Sequence, residues 1–239
     1  MTTYTTPGGS VSRLTLDILN QPHTLIAGAT GSGKSVLLNS TLCTALHFLP
    51  SEKSFVLIDP KRVELVQYVG LPHTLCYASE RFDIRNALHT AVNLMENRYR
   101  RMQADGLKKW QGCEVYIVID EYADLVTTDK KAVLGPLCRI AQLGRAAGVH
   151  LIVATQRPTR DIVNGQIKVN IDSRLALRCP TAQDSRNIIN VKGAETLPRY
   201  GEGLYLTPET LQPVRVKIPF TPDDEINRLC AWWRNQRIA

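Results

Sequence analysis

The sequence has no long uninterrupted apolar run. No stretch approaches the roughly 20 consecutive apolar residues that a membrane-spanning helix needs. The first four residues also lack the basic and apolar pattern of a secretory signal. We therefore expect a cytoplasmic protein with no membrane span.

Paired cysteines are also missing. The six cysteines are scattered along the chain and form no Cys-x-x-Cys pair, so zinc-finger and dithiol redox chemistry are disfavoured and we expect reduced, buried thiols. The chain contains no Asn-Lys-x-Asp segment, which disfavours a GTPase, and no repeat, low-complexity tract or linker. Its 239 residues, 44% of them hydrophobic, are enough for one α/β domain. The net charge of +7 is consistent with a polyanionic partner such as DNA without establishing one.

A glycine-rich segment predicts a nucleotide site. Residues 28–35 follow the apolar run 24–27 and precede the helix-like run 36–42. In this strand–loop–helix setting, successive main-chain N–H groups converge on the β-phosphate of a nucleotide. We expect Lys34 to reach the β- and γ-phosphates of ATP and the Ser35 hydroxyl to hold Mg²⁺. The predicted nucleotide-binding residues are Gly28, Ala29, Thr30, Gly31, Ser32, Gly33, Lys34 and Ser35.

Two further strand-like runs end in residues suited to hydrolysis. Residues 115–119 are followed by Asp120 and Glu121. We expect Asp120 to complete the Mg²⁺ shell and Glu121 to act as the general base for water, because adjacent acids favour hydrolysis over phosphoryl transfer to a substrate. The run 149–154 is followed by Gln156, where it would sense the γ-phosphate.

Some charged residues have two interpretations. Asp59 and Lys61 follow the predicted strand 54–58 and are either functional or part of a solvated loop. Residues 81–105 form a predicted amphipathic helix whose last turns carry Arg98, Arg100 and Arg101. These arginines either contact phosphates or form a solvated face, and the solvated face is favoured.

Periodicity and turn signals predict the remaining elements. Leu14, Leu16 and Ile18 alternate with polar residues and indicate a short half-buried strand. Asp184 is predicted to cap a short helix. The other predicted elements are helices at 132–147, 185–191 and 226–237, and strands at 174–178, 204–206 and 214–218.

Five ordered motifs resemble the motor domain of the FtsK/SpoIIIE double-stranded DNA translocases, and the resemblance runs from about residue 21 to the C-terminus. They are the phosphate loop, Leu-Ile-Asp-Pro-Lys at 57–61, Val-Ile-Asp-Glu-Tyr-Ala-Asp-Leu at 118–125, Gly-Arg-Ala-Ala-Gly-Val-His at 144–150 and Ala-Thr-Gln-Arg-Pro at 154–158. The resemblance implies a RecA-like P-loop NTPase, a three-layer sandwich with a mainly parallel central sheet. The Thr-, Ser- and Gly-rich start and the alternating residues after it predict a flexible leader with a short strand at 1–20, and the resemblance covers the motor domain at 21–239. It also implies a hexameric ring with double-stranded DNA in its channel and ATP between subunits.

The same resemblance assigns roles to several basic residues. Arg145 is the first choice for the arginine that acts on the neighbouring subunit's phosphate; Arg174 and Arg186 are alternatives, and a structural interface role also remains open. Arg157 and Lys168 fall in segments that the family uses to contact the DNA backbone. The family often has a basic residue before Asp-Ser-Arg, where this chain has Ala-Gln at 182–183.

The predicted function is ATP-dependent translocation of double-stranded DNA, in chromosome movement, plasmid transfer or phage genome packaging. The alternatives are a protein-secretion ATPase of the type VII class and a non-translocating ATP-binding adaptor. No membrane anchor or winged-helix reader domain fits in this sequence, so we expect directionality to come from an unknown recruiting protein. The chain is either an excised part of a longer protein or a naturally small relative, and Met1 with an unrelated short leader and a finished terminal helix favour the small relative.

Overall fold

The computed structural model describes residues 4–5, 11–12 and 18–236. An antiparallel pair, β1 (Tyr4–Thr5) and β2 (Val11–Ser12), precedes the main sheet. Leu14 and Leu16 of the predicted first strand lie outside the described residues. The prediction is wrong for Ile18, which begins a turn of 3₁₀ helix, Ile18–Asn20. Ile18 and Leu19 are both buried, whereas successive side chains of a half-buried strand point to opposite faces.

The main sheet contains eight strands in the order β10-β9-β8-β3-β7-β6-β4-β5. Six of them, from β8 to β5 in that order, are parallel, and β9 and β10 add an antiparallel edge. Every residue of β3, β4 and β7 is buried, as expected for parallel strands covered on both faces. The strands are β3 (His23–Ala27), β4 (Lys53–Ile58), β5 (Thr74–Ala78), β6 (Glu114–Ile119), β7 (Val149–Thr155), β8 (Ser173–Ala176), β9 (Glu202–Leu206) and β10 (Val214–Lys217).

Helices cover both faces of this sheet, which confirms the predicted three-layer α/β fold. One apolar core is completed by α1 and α6 on one face, and a second by α2, α3, α4 and α5 on the other. The helices are α1 (Lys34–Ala45), α2 (Arg81–Ala104), α3 (Tyr122–Leu143), α4 (Gly165–Asn170), α5 (Ala182–Ile189) and α6 (Asp223–Arg234). Among the described residues, no helix combines the length and hydropathy needed to cross a membrane.

The third helix differs most from its prediction. It begins at Tyr122, ten residues before the expected start at 132, and breaks at Asp129, where φ is −154° and ψ is 66°. The Asp129 carboxylate accepts from Arg81 Nε at 3.2 Å and also pairs with Arg85, both in α2. It also accepts from Ala132 N–H at 3.4 Å, which restarts the helix. The break therefore depends on contacts with another helix.

Three smaller features differ from the predictions. The edge strand β5 is only partly buried, although residues 75–78 are apolar. Helix α4 lies in a segment expected to be a polar connection, and the Asn164 side chain caps it by accepting from Ile167 N–H at 3.2 Å. Helix α5 is capped by Thr181 rather than Asp184, because the Thr181 hydroxyl accepts from Asp184 N–H at 3.1 Å.

Strand register brings four strand ends together. Ala27 lies opposite Thr155, and Ile58 lies opposite Ile119. The segments after β3, β4, β6 and β7 consequently leave the sheet at the same end, the carboxyl ends of the parallel strands, where open α/β sheets bind ligands.

Candidate nucleotide site

The phosphate loop connects β3 to α1 as predicted. Gly31 and Gly33 have φ of 71° and 97°, in the left-handed region that favours glycine. Among the described residues no side chain caps α1, so the first N–H groups of the helix are available to an anion. The buried Ser32 Oγ has no hydrogen-bond partner within the described chain. These features fit the loop for the phosphates of a nucleotide.

Lys34 is held by Asp120. Its Nζ donates to the Asp120 carbonyl oxygen at 2.8 Å and pairs with the Asp120 carboxylate. The two side chains are 3% and 1% exposed. Burial raises the pKa of the Asp120 carboxyl above its ordinary range, while the Lys34 ammonium opposes that shift. To contact the phosphates of a nucleotide, Lys34 would have to give up part of this pairing.

Ser35 contacts an acid that the sequence did not single out. Its Oγ donates to Glu64 Oε1 at 2.6 Å. Ser35, Asp120 and Glu64 supply the hard oxygen atoms that Mg²⁺ prefers. Within the described residues, no group of three or more His, Cys, Asp or Glu side chains could hold a metal alone. The donor set thus fits a Mg²⁺ ion that shares its ligands with phosphates.

The Glu121 carboxylate is buried and fixed by hydrogen bonds. Thr155 Oγ1 donates to Oε1 at 2.6 Å, and the Gln156 N–H reaches both oxygens at 3.1 Å. Lys61 Nζ lies 3.5 Å from Oε2. Thr155 was missed, although its position at the end of β7, next to the Asp-Glu strand, was the available signal. These contacts fix the Glu121 carboxylate at the carboxyl ends of the parallel strands, where the phosphate loop also lies.

Gln156 and Lys61 both lie in this site, whereas Asp59 has a structural role. Thr30 Oγ1 donates to Gln156 Oε1 at 2.8 Å, so the structure brings Gln156 to the phosphate loop. The fully buried Asp59 carboxylate accepts from the backbone N–H groups of Lys61 at 3.2 Å and Leu65 at 3.0 Å. Asp59 shapes the loop that presents Lys61.

Two arginines beside the phosphate loop were missed. Arg178 and Arg199 line a cavity of about 310 Å³ together with residues 29–32. The Arg178 carbonyl accepts from Ala29 N–H at 2.8 Å, which anchors the loop to the segment after β8. Arg178 is detectable once β8 is known to pair with β3, but a single sequence does not give that pairing.

Arg145 lies far from the phosphate loop of its own chain. It is exposed in the turn between α3 and β7, at the amino ends of the parallel strands, whereas the phosphate loop lies at their carboxyl ends. The intervening strand β7 has seven residues, about 23 Å of extended chain. Of the alternatives, Arg186 is exposed, whereas Arg174 is 8% exposed and donates to the Ile188 carbonyl at 3.2 Å. This burial disfavours Arg174 as a group that acts on another subunit.

The two predicted DNA contacts also have partners within the chain. Arg157 pairs with Asp124, and its side chain is 54% exposed. Lys168 Nζ lies 3.4 Å from the Arg186 carbonyl. Burial, with a smaller effect from Arg174, lowers the pKa of the Lys168 ammonium. Neither of these contacts is with a residue of the phosphate loop.

A sequence profile of the FtsK/SpoIIIE family matches residues 5–116 and 111–160. The chain belongs to the FtsK/SpoIIIE family. It is 37% identical over 257 residues to DNA translocase FtsK 1 of Neisseria meningitidis serogroup A, which covers 93% of this chain and 32% of that protein. It is 38% identical over 255 residues to DNA translocase FtsK of Pseudomonas aeruginosa, which covers 91% of this chain and 31% of that protein. The chain therefore spans about a third of the length of these relatives.

Solved structures of P-loop ATPases share the fold of this family member. The pCW3 conjugation coupling protein TcpA superposes with a TM-score of 0.80 at 24% identity, covering 97% of this chain and 70% of that one. The type VII secretion ATPase EccC of Thermomonospora curvata superposes with a TM-score of 0.81 at 22% identity, covering 99% of this chain and 31% of that one. These similarities confirm the predicted P-loop ATPase fold.

Proposed function

We propose that this protein hydrolyses ATP in a ring of identical subunits and uses the energy to move double-stranded DNA. The observation that carries the proposal is the Glu121 carboxylate, which is fixed at the sheet edge that also presents Lys34 and the phosphate loop. The relatives at 37% and 38% identity are DNA translocases, which supports DNA as the polymer.

The residues of the site suggest the chemical steps. The loop binds the triphosphate, and Lys34 pairs with its β- and γ-phosphates. Ser35 and Asp120 would hold Mg²⁺, which when bound neutralises phosphate charge. Glu121 accepts a proton as a water oxygen bonds to the γ-phosphorus, and the bond to the ADP oxygen breaks. Gln156 is in place to respond to the loss of the γ-phosphate, because its side chain contacts the loop at Thr30.

The position of Arg145 supports a site shared between subunits. Head-to-tail packing in a ring brings one face of a subunit against a different face of its neighbour. An arginine at the amino ends of the strands can therefore contact the nucleotide of the neighbouring subunit even though it does not reach the nucleotide of its own subunit. We propose a hexamer in which Arg145 stabilises the charge of the transferred phosphoryl group.

DNA would be held by contacts with its phosphates. Arg157 and Lys168 are the proposed contacts, and the net charge of +7 supports a polyanionic partner. Such binding is insensitive to sequence and weakens with salt. We place the protein in the cytoplasm and expect a recruiting protein of unknown identity to choose its cargo.

Two other functions are weaker. A type VII secretion ATPase shares the fold, but the EccC similarity is 22% in sequence, below the 37% similarity to a DNA translocase. An adaptor that only binds ATP has no need for the oriented base Glu121.

The deciding experiment compares ATPase activity with linear duplex DNA, with a candidate secreted polypeptide and with neither, alongside electron microscopy for rings. Of the two polymers, we expect only DNA to stimulate ATP hydrolysis. The Lys34→Ala variant should have no ATPase activity. Stimulation by polypeptide but not DNA would identify a secretion motor. Stable complexes without hydrolysis would identify an adaptor, and full activity of Lys34→Ala would overturn the site.

A further inference from the structure

Arg98 is a buried arginine outside the candidate nucleotide site. It lies in α2 and is 5% exposed, so the predicted solvated face is wrong for this residue. Its Nη1 donates to the carbonyls of Ala147 at 2.9 Å and Gly148 at 2.8 Å, and its Nη2 donates to the Cys113 carbonyl at 2.7 Å. Its partners are therefore backbone carbonyls, two of them in the turn that carries Arg145.

Trp110 completes this arrangement. The Arg98 guanidinium carbon lies 4.8 Å from the centre of the Trp110 ring, within cation–π range. The Trp110 backbone N–H donates to the Ala146 carbonyl at 2.8 Å, and its indole N–H donates to the Cys113 carbonyl at 3.2 Å. Trp110 thus holds both the guanidinium and the backbone next to Arg145.

Carbonyl groups along the whole turn accept hydrogen bonds. Tyr99, next to Arg98 in α2, donates through its hydroxyl to the Leu143 carbonyl at 2.7 Å. Val149 N–H donates to the Gly144 carbonyl at 3.0 Å, and Gly148 N–H to that of Arg145 at 3.4 Å. With the bonds from Arg98 and Trp110, each carbonyl from 143 to 148 has a donor. The exposed Arg145 side chain thus projects from a fixed backbone.

Close packing leaves this turn little room to change. Gly148 has a φ of 62°, and an added Cβ there would lie 3.1 Å from Trp110 Cδ1 and 3.4 Å from Arg98 Nη1. A buried cation that binds carbonyl dipoles loses much of its hydration, so apolar packing would be a simpler way to join a helix to a strand. The fork geometry of a guanidinium instead fixes several carbonyls at once.

We propose that Arg98 is a positioning residue that holds Arg145 in the geometry needed to reach the neighbouring subunit's phosphate. The proposal rests on the proposed role of Arg145 across the subunit interface. Arg98 does not contact the nucleotide site of its own chain. Its loss should therefore impair only the arginine that a subunit supplies and leave that subunit's own phosphate loop intact.

The test uses Arg98→Lys, which keeps the charge but cannot form the same fork, and Arg101→Lys as a matched control on the exposed side of α2. We expect Arg98→Lys to lower kcat by about 100-fold, because small misplacements of catalytic groups have effects of that size. Binding of a non-hydrolysable ATP analogue and ring formation should stay within about twofold of the parent protein. Arg101→Lys should change none of these values.

Mixed rings separate positioning from general damage. In equal mixtures of Arg98→Lys and Glu121→Gln subunits, about a quarter of the head-to-tail interfaces pair an intact hydrolytic site with an intact Arg145. Activity should therefore be regained. Mixtures of Arg98→Lys with Arg145→Ala should regain none, and Arg98→Lys/Arg145→Ala in one chain should be no slower than Arg145→Ala alone.

Other results would overturn the proposal. If Glu121→Gln subunits rescue Arg145→Ala but not Arg98→Lys, Arg98 does not act through Arg145. Multiplying effects in the double variant would lead to the same conclusion, as would a loss of ring formation or of nucleotide binding in Arg98→Lys. If Arg145→Ala itself is not rescued, the shared-site part of the proposed function fails, and the role of Arg98 fails with it.

Discussion

At the scale of single residues, the Glu121 carboxylate shows how the proposed base is both buried and kept in place. It is 1% exposed, and its donors are a hydroxyl, a backbone N–H and the more distant Lys61 ammonium. A buried carboxylate without such donors would have polar atoms with no hydrogen-bond partner, which costs free energy. The same contacts that make its burial tolerable also fix the direction from which it can accept a proton.

Thr155→Val tests that orientation. Valine has a similar shape but cannot donate the 2.6 Å hydrogen bond to Glu121 Oε1. We expect the free energy of unfolding to fall by about 1–3 kcal/mol, because a buried acceptor loses its partner. We also expect kcat to fall by about tenfold or more with little change in KM, because the base loses its alignment. Thr155→Ser, which keeps the hydroxyl, is the control; equal kinetics in both variants would contradict the argument.

His23 makes a second residue-scale prediction, on stability and pH. Burial, with a smaller effect from His150, lowers the pKa of the His23 imidazole to about 3, from an ordinary value of 6.5. The unfolded chain therefore binds a proton below about pH 6.5, whereas the folded chain does not until about pH 3. We expect stability to fall as pH drops through this window, by up to about 1.4 kcal/mol per pH unit from this site. Above this window, the contribution of His23 to stability should be constant.

The measurement is denaturant unfolding at a series of pH values between 4 and 8. His23→Asn is the informative variant, because its side-chain oxygen can still accept from Leu151 N–H, which donates to His23 Nδ1 at 3.1 Å. It should have a smaller acid slope than the parent protein. His73 and His150 also have pKa values lowered by burial, so some slope should remain. An unchanged slope would contradict the assignment to His23.

At the scale of elements, the junction between α3 and β7 is packed at Gly144. A Cβ there would overlap the carbonyl oxygens of Val149 and Ile140 and approach His23 Cε1 at 3.1 Å. The constraint is purely steric, since Gly144 has right-handed helical dihedral angles, φ −60° and ψ −34°. The start of the Arg145 turn is therefore specified by a close approach of backbone to backbone.

Gly144→Ala should lower the free energy of unfolding by about 3 kcal/mol, because the added methyl forces two backbone segments apart. Gly135→Ala in α3 is the matched control, since nothing lies within 4 Å of its added Cβ. This change should alter the free energy of unfolding by no more than about 1 kcal/mol, because the helix propensity of alanine is opposed by the crowding of a residue that precedes Pro136. Chemical denaturation measures both effects, and a tolerated Gly144→Ala would show that the junction can relax.

At the scale of the whole molecule, the proposed catalytic groups lie at opposite ends of the parallel strands of one sheet. The phosphate loop, Asp120 and Glu121 follow the carboxyl ends of strands, while Arg145 precedes the amino end of β7. One subunit thus contains two half-sites that do not meet. In the proposed ring, each subunit is both the hydrolysing partner and the arginine donor.

The ATPase rate per subunit should therefore rise with protein concentration as rings assemble. We expect the isolated subunit to be slower by about 10³-fold or more, the usual effect of removing such an arginine. Steady-state ATPase measurements over a dilution series, paired with mass measurements of the oligomer, test this. Arg145→Ala should still assemble but remain slow at every concentration. A rate independent of concentration and oligomer size would indicate a complete site within one chain.

The proposed hydrolytic half-site could be predicted from sequence because its signals are local. The phosphate loop needs glycines beside a strand and a helix, and the Asp120-Glu121 pair follows directly from an apolar strand. The sequence did not predict Thr155 as a donor to Glu121 or Glu64 as a partner of Ser35, because those contacts join segments 34 and 29 residues apart. Their partners depend on strand order and on the path of the loop after β4.

Sequence alone determined the nucleotide loop, the paired acids, the α/β class and, through ordered motifs, the family. Only the tertiary structure decided the fate of the charged residues whose chemistry fits both solvent and interior. The Asp59 carboxylate is buried and accepts hydrogen bonds from its own loop. Arg174 and Arg98 are buried, and both donate to backbone carbonyls. The physical reason is that a charged side chain is buried only where the fold supplies polar partners, and those partners come from distant segments.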